Sequence, residues 1–459
     1  MAPPGVARDP RCLVLVDGEH YPPVIARALA MLVAEGDRPV AALLVGGQEK
    51  LGQVPWDLGI PVEVPSGIED REAALARVLR QTGVRRVVDL SDEPILGYTA
   101  RTRMASVALW CGATYEGADF CFTPPDRSAH PAVPSVAVFG TGKRTGKTAM
   151  AGFAARLYRE AGLDPVVLAM GRGGPAEPEV LAAGTRLDRE HLLALVAEGR
   201  HASSDYVEDA MTSGAATVGA WRAGGGLAGA MAYTNFPAAL AAAEALAPGL
   251  LVLEGSGAAI PPARAGAGVL VANAATAPEA LGSYFGLYRL LLADVVVLTM
   301  CEESLGQEYM AAAKRCARST SLSQPKVVCT VFRPYPLADV SGRKIWFGTT
   351  ANERAGPVLK HHLEATFGCE VVAISHALAR RDELRRDLSS LADAAGGHPV
   401  EALAVELKAA AVDVVTRWAA EHGLDVVYVD NRPQVVGGEG PLEPLLLEVA
   451  QLARTRWTP

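Results

Sequence analysis

Lys147 and Thr148 close a glycine-rich run, Gly140-Thr141-Gly142-Lys143-Arg144-Thr145-Gly146-Lys147-Thr148, whose residue types suit the holding of phosphates. Backbone N–H groups of such a loop, with the N-terminus of a following helix, direct partial positive charge at an anion. In that arrangement Lys147 reaches the β- and γ-phosphates of a nucleotide and the Thr148 hydroxyl holds Mg²⁺. The spacing carries one irregularity. A G-x-x-x-x-G-K-[ST] pattern would put glycine at position 141, where the chain has Thr141, and the glycine sits one residue earlier. Lys143 and Arg144 add two further cations inside the loop. ATP and Mg²⁺ are therefore the expected cofactors.

Other residues could serve the same chemistry. Glu254 follows the apolar run Leu250 to Leu253 and opens Glu254-Gly255-Ser256-Gly257. An acid at the end of a buried strand downstream of a phosphate loop occupies the place of a second Mg²⁺-holding residue beside Thr148. Arg172 lies within Gly171-Arg172-Gly173-Gly174-Pro175, and Arg222 within Trp221-Arg222-Ala223-Gly224-Gly225-Gly226. Glycine lets a backbone approach an anion closely while the guanidinium binds it through two N–H groups. Between these corners runs a dense polar stretch, His201 to Asp209, read as a turn, with Ser203 and Ser204 as further oxyanion donors. The expected partner is a small anionic substrate. Near the N-terminus, Asp17 and His20 are candidates for the same substrate, with Asp89 and Asp92 at the ends of other strands. Each of these acids could equally cap a turn. His361 and His362 are adjacent on a helix and do not share a face, which makes them a poor metal pair.

The elements that must position these groups alternate. Val136 to Phe139 reads as a buried strand and Ala149 to Gly162 as a helix, so the loop joins strand to helix as a phosphate loop requires. Upstream, strands at Leu13 to Val16, Val40 to Val45 and Val84 to Leu90 alternate with helices at Val24 to Glu35 and Arg71 to Gln81. That pitch predicts an α/β fold with a doubly wound parallel sheet, whose ligands lie at the carboxyl ends of its strands. The proline-rich stretch Phe122 to Pro134 reads as a linker. The expected architecture is an N-terminal doubly wound, Rossmann-like domain (1–130), a P-loop NTPase-type parallel-sheet domain (131–355) and an α/β C-terminal extension packed on it (356–459). Within the extension a helix is expected at Pro357 to Phe367, a strand at Glu370 to Ile374, a long helical region at Pro399 to His422 and a last strand at Asp425 to Val429.

Composition narrows the class. The 459 residues are 50% hydrophobic and 20% charged, as in globular chains of two or three domains. A net charge of −8 argues against a general nucleic-acid binder, so an anionic ligand must be met by local arginines. Met1 to Arg11 has no apolar core, so no signal peptide is expected. The longest uncharged stretch, Ala223 to Ala243, is broken by glycines and Pro237 and does not read as a membrane span. Seven scattered cysteines without a C-x-x-C pair fit a reducing cytoplasm.

Taken together, these stretches resemble the cyclic 2,3-diphosphoglycerate synthetase family: Leu15 to Pro23 (L-V-D-G-E-H-Y-P-P), Val138 to Thr148, Gly171 to Pro175 and Leu253 to Gly257. The longer phosphate loop and the E-G-S-G corner are also similar to those of dethiobiotin synthetase and related P-loop ligases. The resemblance covers the whole chain. It implies an ATP- and Mg²⁺-dependent ligase that joins the two phosphates of 2,3-diphosphoglycerate into an intramolecular phosphoanhydride, releasing ADP and phosphate. Lys143, Arg144, Lys147 and Glu254 would then be the catalytic groups, and a homodimer is expected.

Overall fold

Two sheets carry the chain in the computed structural model, which describes residues 9–47, 57–302, 307–392 and 400–458. The first has six strands in the order β3-β2-β1-β4-β5-β6. These are β1 (Arg11–Val16), β2 (Arg38–Leu44), β3 (Val62–Glu63), β4 (Arg86–Asp89), β5 (Thr114–Glu116) and β6 (Cys121–Phe122). All neighbours are parallel except β5 and β6. Helices α1 (Pro22–Ala34), α2 (Arg71–Thr82) and α3 (Tyr98–Trp110) make the crossovers. The order reverses beside β1, the position at which doubly wound sheets open a crevice.

The second sheet has thirteen strands. Its first part comprises β7 (Ser135–Gly140), α4 (Lys147–Glu160), β8 (Pro165–Gly171), the short β9 (Glu179–Leu181), α5 (Arg189–Ala197), α6 (Asp205–Ser213), β10 (Ala216–Ala223), the short β11 (Tyr233–Thr234), α7 (Phe236–Glu244), β12 (Leu250–Glu254), β13 (Ala267–Asn273), β14 (Val295–Thr299) and β15 (Lys326–Pro336). The parallel run is β10-β8-β12-β7-β13-β14-β15. Strands buried on both faces read as continuous apolar runs, and β7, β8 and β12 are buried at every position. On one face Met150, Ala154 and Tyr158 of α4 and Tyr206 and Val207 of α6 pack on Val136, Val138, Val167 and Val252. On the other, Met104, Val107 and Ala108 of α3 share a core with Phe139, Leu270, Leu287 and Leu290, which docks the N-terminal sheet on the P-loop sheet. Each fully buried side chain of this size stabilises the docking by about 1.5–3 kcal/mol.

The sheet then changes direction. β15 pairs with β14 only as far as Cys329 and continues to Pro336. Along that extension it meets β19 (Asp425–Gly438) running antiparallel, with Pro336 opposite Val429. β18 (Ala402–Glu406), β16 (Lys344–Gly348) and β17 (Glu370–Ser375) follow in parallel beside β19. The C-terminal strands thus lie beyond the P-loop edge of the sheet, with their carboxyl ends turned back toward it.

Three sequence expectations change. His201 to Asp209 is not all turn, because Asp205 begins α6. The long helix expected over Pro399 to His422 opens as the strand β18, followed by a π-helical turn, Ala411–Thr416, and a short helix, Arg417–Glu421; Pro399 itself lies outside the described residues. An alanine- and valine-rich apolar run is ambiguous between strand and buried helix, and here pairing with β16 and β19 decides it. The last strand also runs nine residues past its expected end at Val429. The N-terminal stretch Met1 to Arg11 is described only from residue 9.

Candidate nucleotide and anion site

The loop from Gly140 to Thr148 connects β7 to α4, and its shape depends on two glycines. A Cβ on Gly140 would sit 2.8 Å from Lys147 Cδ and 2.9 Å from the Val271 carbonyl. Gly146 has φ +87°, and a Cβ there would fall 2.3 Å from the Phe332 ring, so a side chain is excluded both by conformation and by space. The Thr299 hydroxyl donates to the Thr145 carbonyl at 2.8 Å and pins the loop from β14. Lys143 and Arg144 are exposed, and Arg144 has φ +60°. Lys147 is buried, at 7% exposure. Its Nζ donates to the Gly142 carbonyl at 2.7 Å, so the ligand-free lysine lies along its own loop. Burial lowers its pKa; Glu254 and Asp205 oppose that shift, and Arg172 and Arg222 add to it.

Those four residues stand close enough to Lys147 for their charges to act on it. Glu254, fully buried at the end of β12, accepts a 2.7 Å hydrogen bond from the Thr148 hydroxyl through Oε1. Its Oε2 is buried with no hydrogen-bond partner, as are both carboxylate oxygens of Asp209 on α6. Burial, then the charge of Asp205, pushes the Glu254 carboxyl up to about 8. Asp209 is raised well above the carboxylate range by burial, then by Glu254 and Glu208. Glu208 rises to about 7 through burial, with Lys408 opposing. Asp205, also raised by burial, is held down by Lys147, Lys408, His201 and Arg172 in that order.

The two arginines converge on Gly257. A Cβ at that residue, which has φ +60°, would lie 2.8 Å from Arg172 Nη2 and 2.9 Å from Arg222 Nη2. Arg222 is buried, donates to the Ser256 carbonyl at 2.8 Å, and leaves Nε without a partner. Burial and then Arg172 lower its pKa, which records two like charges held together. No ion pair to a carboxylate is formed by either guanidinium among the described residues. Arg289 steadies this corner by donating to the Ala258 carbonyl at 2.7 Å. Gly174 packs so tightly on β10 that a Cβ would fall 2.0 Å from the Ala220 carbonyl, and Gly173 lies against His201. Ser204 precedes α6 with its hydroxyl buried and unpartnered, and Ser203 beside it is half-buried.

Asp17 and His20 belong to the other sheet. Asp17 Oδ1 accepts from the backbone N–H of Glu19 and His20 and pairs with His20 Nδ1 at 2.8 Å, while Oδ2 accepts from the Asp92 N–H. Asp89 is likewise engaged, by Ser91, Arg101 and Tyr115. The hydrogen bonds of both acids are spent within the N-terminal domain's own edge.

The structure therefore draws Lys147, Thr148, Glu254, Arg172 and Arg222 together from four separate stretches, and adds residues that sequence reasoning passed over. Asp205, Glu208 and Asp209 stand at i, i+3 and i+4 of α6, one helical face. That spacing was a usable signal once the stretch is read as helix. Lys408, 3.3 Å from Glu208, carried none.

Among the described residues no cluster of three or more His, Cys, Asp or Glu side chains forms a metal cage by itself. No described helix is long and apolar enough to cross a membrane. A parallel sheet, a glycine loop ending in Lys-Thr at a helix start, and an acid bonded to that threonine define a P-loop nucleotide-binding protein of the ligase type. Family models place it further. The cyclic 2,3-diphosphoglycerate synthetase models match over residues 11–123 (N-terminal domain), 135–330 (P-loop domain) and 336–432 (C-terminal domain). Proteins named cyclic 2,3-diphosphoglycerate synthetase are similar over nearly their full length. That of Rubrobacter xylanophilus is 45% identical, over 94% of this chain and 96% of its own. That of Thermococcus gammatolerans is 44% identical (95% and 96%), and that of Methanothermus fervidus 39% (96% and 97%). The chain belongs to the cyclic 2,3-diphosphoglycerate synthetase family.

Proposed function

We propose that this enzyme uses ATP to close 2,3-diphosphoglycerate into its cyclic phosphoanhydride, with ADP and phosphate as the other products. The observation that carries the reading is the Arg172–Arg222 pair: two guanidiniums held together beside Gly257, neither in an ion pair among the described residues though the charge of Asp205 acts on both, and both acting on Lys147. Bringing two like charges together costs free energy that an anion before them offsets, and a substrate bearing two phosphates supplies one.

The pocket fits a divalent ion. Buried Glu254 Oε2 makes no hydrogen bond, with the Asp209 carboxyl beside Glu254, and Oε1 is bonded to the Thr148 hydroxyl; these are the oxygen donors that Mg²⁺ prefers. Thr148 and Glu254 would hold Mg²⁺, which when bound offsets charge on the β- and γ-phosphates. The loop N–H groups of Gly140 to Thr148 cradle the nucleotide, and Lys147 leaves the Gly142 carbonyl to reach its terminal phosphates. Lys143 and Arg144, exposed on the same loop, screen charge between nucleotide and acid. Arg172 and Arg222, with the Gly173–Gly174 corner and Ser203 and Ser204, orient the acid so that one phosphate receives the γ-phosphoryl group and its neighbour then displaces it, closing the ring and releasing phosphate. Holding both phosphates in register supplies the advantage of an intramolecular reaction. His20, held by Asp17 at the switch point of the N-terminal sheet, would meet the acid on closure of that domain, which excludes water.

The test is ADP release over a panel of phosphorylated three-carbon acids, with phosphorus NMR on the product. Two coupled, bridged phosphorus nuclei are expected with 2,3-diphosphoglycerate. A linear product carrying a third phosphate would make the enzyme a kinase, and ADP release without change in the acid would make it an ATPase.

A further inference from the structure

β18 reaches the site from the far side. Glu406 ends it level with Val429, which lies opposite Pro336 of β15. Gly140, Val271, Val297 and Val328 share one level across the P-loop strands. Chain leaving β18 therefore heads back toward the edge where the phosphate loop begins. Lys408 is two residues along that path. Its Nζ stands 3.3 Å from Glu208 Oε1 on α6, and its side chain is 28% exposed against 9% for Glu208. The lysine also bears on Asp205, as Lys147 and Arg172 do, so the P-loop cations and Lys408 surround one acid.

The backbone at this lysine is unusual. The Lys408 N–H bonds the Glu406 carbonyl at 2.7 Å, Ala409 has φ +49°, and the π-helical turn Ala411–Thr416 follows, packed against α5. A left-handed non-glycine residue and a π-turn each cost free energy and persist where surrounding structure holds them, often at functional sites. Here they aim one long cation out of the C-terminal strands.

We propose that Lys408 is a substrate-binding residue, supplied by the C-terminal strands, that grips a phosphate of the non-nucleotide acid from beside Glu208 and Asp205. The inference rests on the synthetase reading above. Glu208 holds the lysine in place while the pocket is empty, and the polyanion takes it when bound. The charges of the acid then face cations from both halves of the long sheet, which ties substrate binding to the β15–β19 pairing.

The test measures 2,3-diphosphoglycerate binding by calorimetry to the full chain with Mg·ADP present, beside steady-state kinetics. Lys408→Met should weaken acid binding at least tenfold and raise its KM equally, with the KM for ATP within twofold of wild type. Lys408→Arg should restore acid binding to within threefold. Lys408 also faces Glu406 and Asp430; the double variant Glu208→Gln/Lys408→Met removes both charges of the ion pair and leaves Glu406 bonded by Thr349 and Thr350 and Asp430 paired with Arg156 and Arg432, so it should fold and bind the acid as weakly as Lys408→Met. Recovery of acid binding in the double variant would show that the lysine only neutralises Glu208 and would overturn the proposal. A change in ATP affinity in place of acid affinity would overturn it too. If wild type itself neither binds nor converts the acid, the synthetase reading falls and the proposal with it; normal binding by wild type and Lys408→Met alike removes the proposal alone.

Discussion

Thr148 and Glu254, 106 residues apart in the chain, are joined by a 2.7 Å hydrogen bond from the hydroxyl to Oε1. The bond fixes the end of β12 against the first turn of α4 and leaves Oε2 buried without a donor. A buried carboxylate oxygen in that state costs stability unless a proton or a cation satisfies it. Glu254→Gln keeps the shape and removes the charge. It should raise the Mg²⁺ concentration needed for half-maximal turnover about tenfold or more while leaving the ligand-free melting temperature at pH 6 nearly unchanged. Early unfolding with unaltered Mg²⁺ dependence would make Glu254 a structural cap.

The same residue gives the ligand-free protein a pH signature. Its folded pKa, about 8, lies above the ordinary 4.5, so the native state binds the extra proton between those values. Native stability from this group is then full below about 4.5 and falls as pH rises to about 8. Glu254→Gln cannot lose it. Thermal melts should show the variant gaining on wild type between pH 5 and 8.5, by about 2 °C or more at the upper end; parallel curves would mean that Glu254 does not titrate there.

Lys147 carries charge in a loop whose shape is set by its backbone. Lys147→Ala should cut turnover at least about a hundredfold, or ~2.7 kcal/mol of transition-state stabilisation, with an unchanged circular dichroism spectrum. Activity within tenfold of wild type would remove this loop from the chemistry.

Arg172 and Arg222 predict a split between substrates. Lysine is a point charge and cannot reproduce a two-pronged guanidinium contact, so Arg172→Lys and Arg222→Lys should each raise the acid's KM about tenfold and the KM for ATP less than threefold. Equal effects on both would assign the arginines to the nucleotide.

Gly257→Ala tests the same corner without touching a charge. Its Cβ would meet both guanidiniums within 3 Å, at a φ of +60° that disfavours alanine. The arginines must swing apart, and the acid's KM should rise about tenfold with normal nucleotide binding by fluorescence titration. An unaltered acid KM would show that the two guanidiniums need not converge.

The phosphate loop, the acid after β12 and the two Gly–Arg corners were legible in the residues alone because each is a local pattern. A buried strand, a glycine turn and a helix start need only neighbours in the chain to be recognised. The parallel N-terminal sheet was legible for the same reason, through strand–helix alternation. Tertiary structure decided what local pattern leaves open. Asp209 acquires meaning from Glu254, 45 positions away, because α6 packs on the sheet and turns one face into the pocket. The stretch around Lys408 reads as apolar helix until pairing with β16 and β19 makes its first part a strand. Whether the lysine after that strand faces the P-loop or points away from it depends on the antiparallel meeting of β15 and β19, a choice of strand direction made by hydrogen bonds between segments about a hundred residues apart. Periodicity within one segment reports which face is buried; it holds no information on the direction in which a distant strand will run beside it.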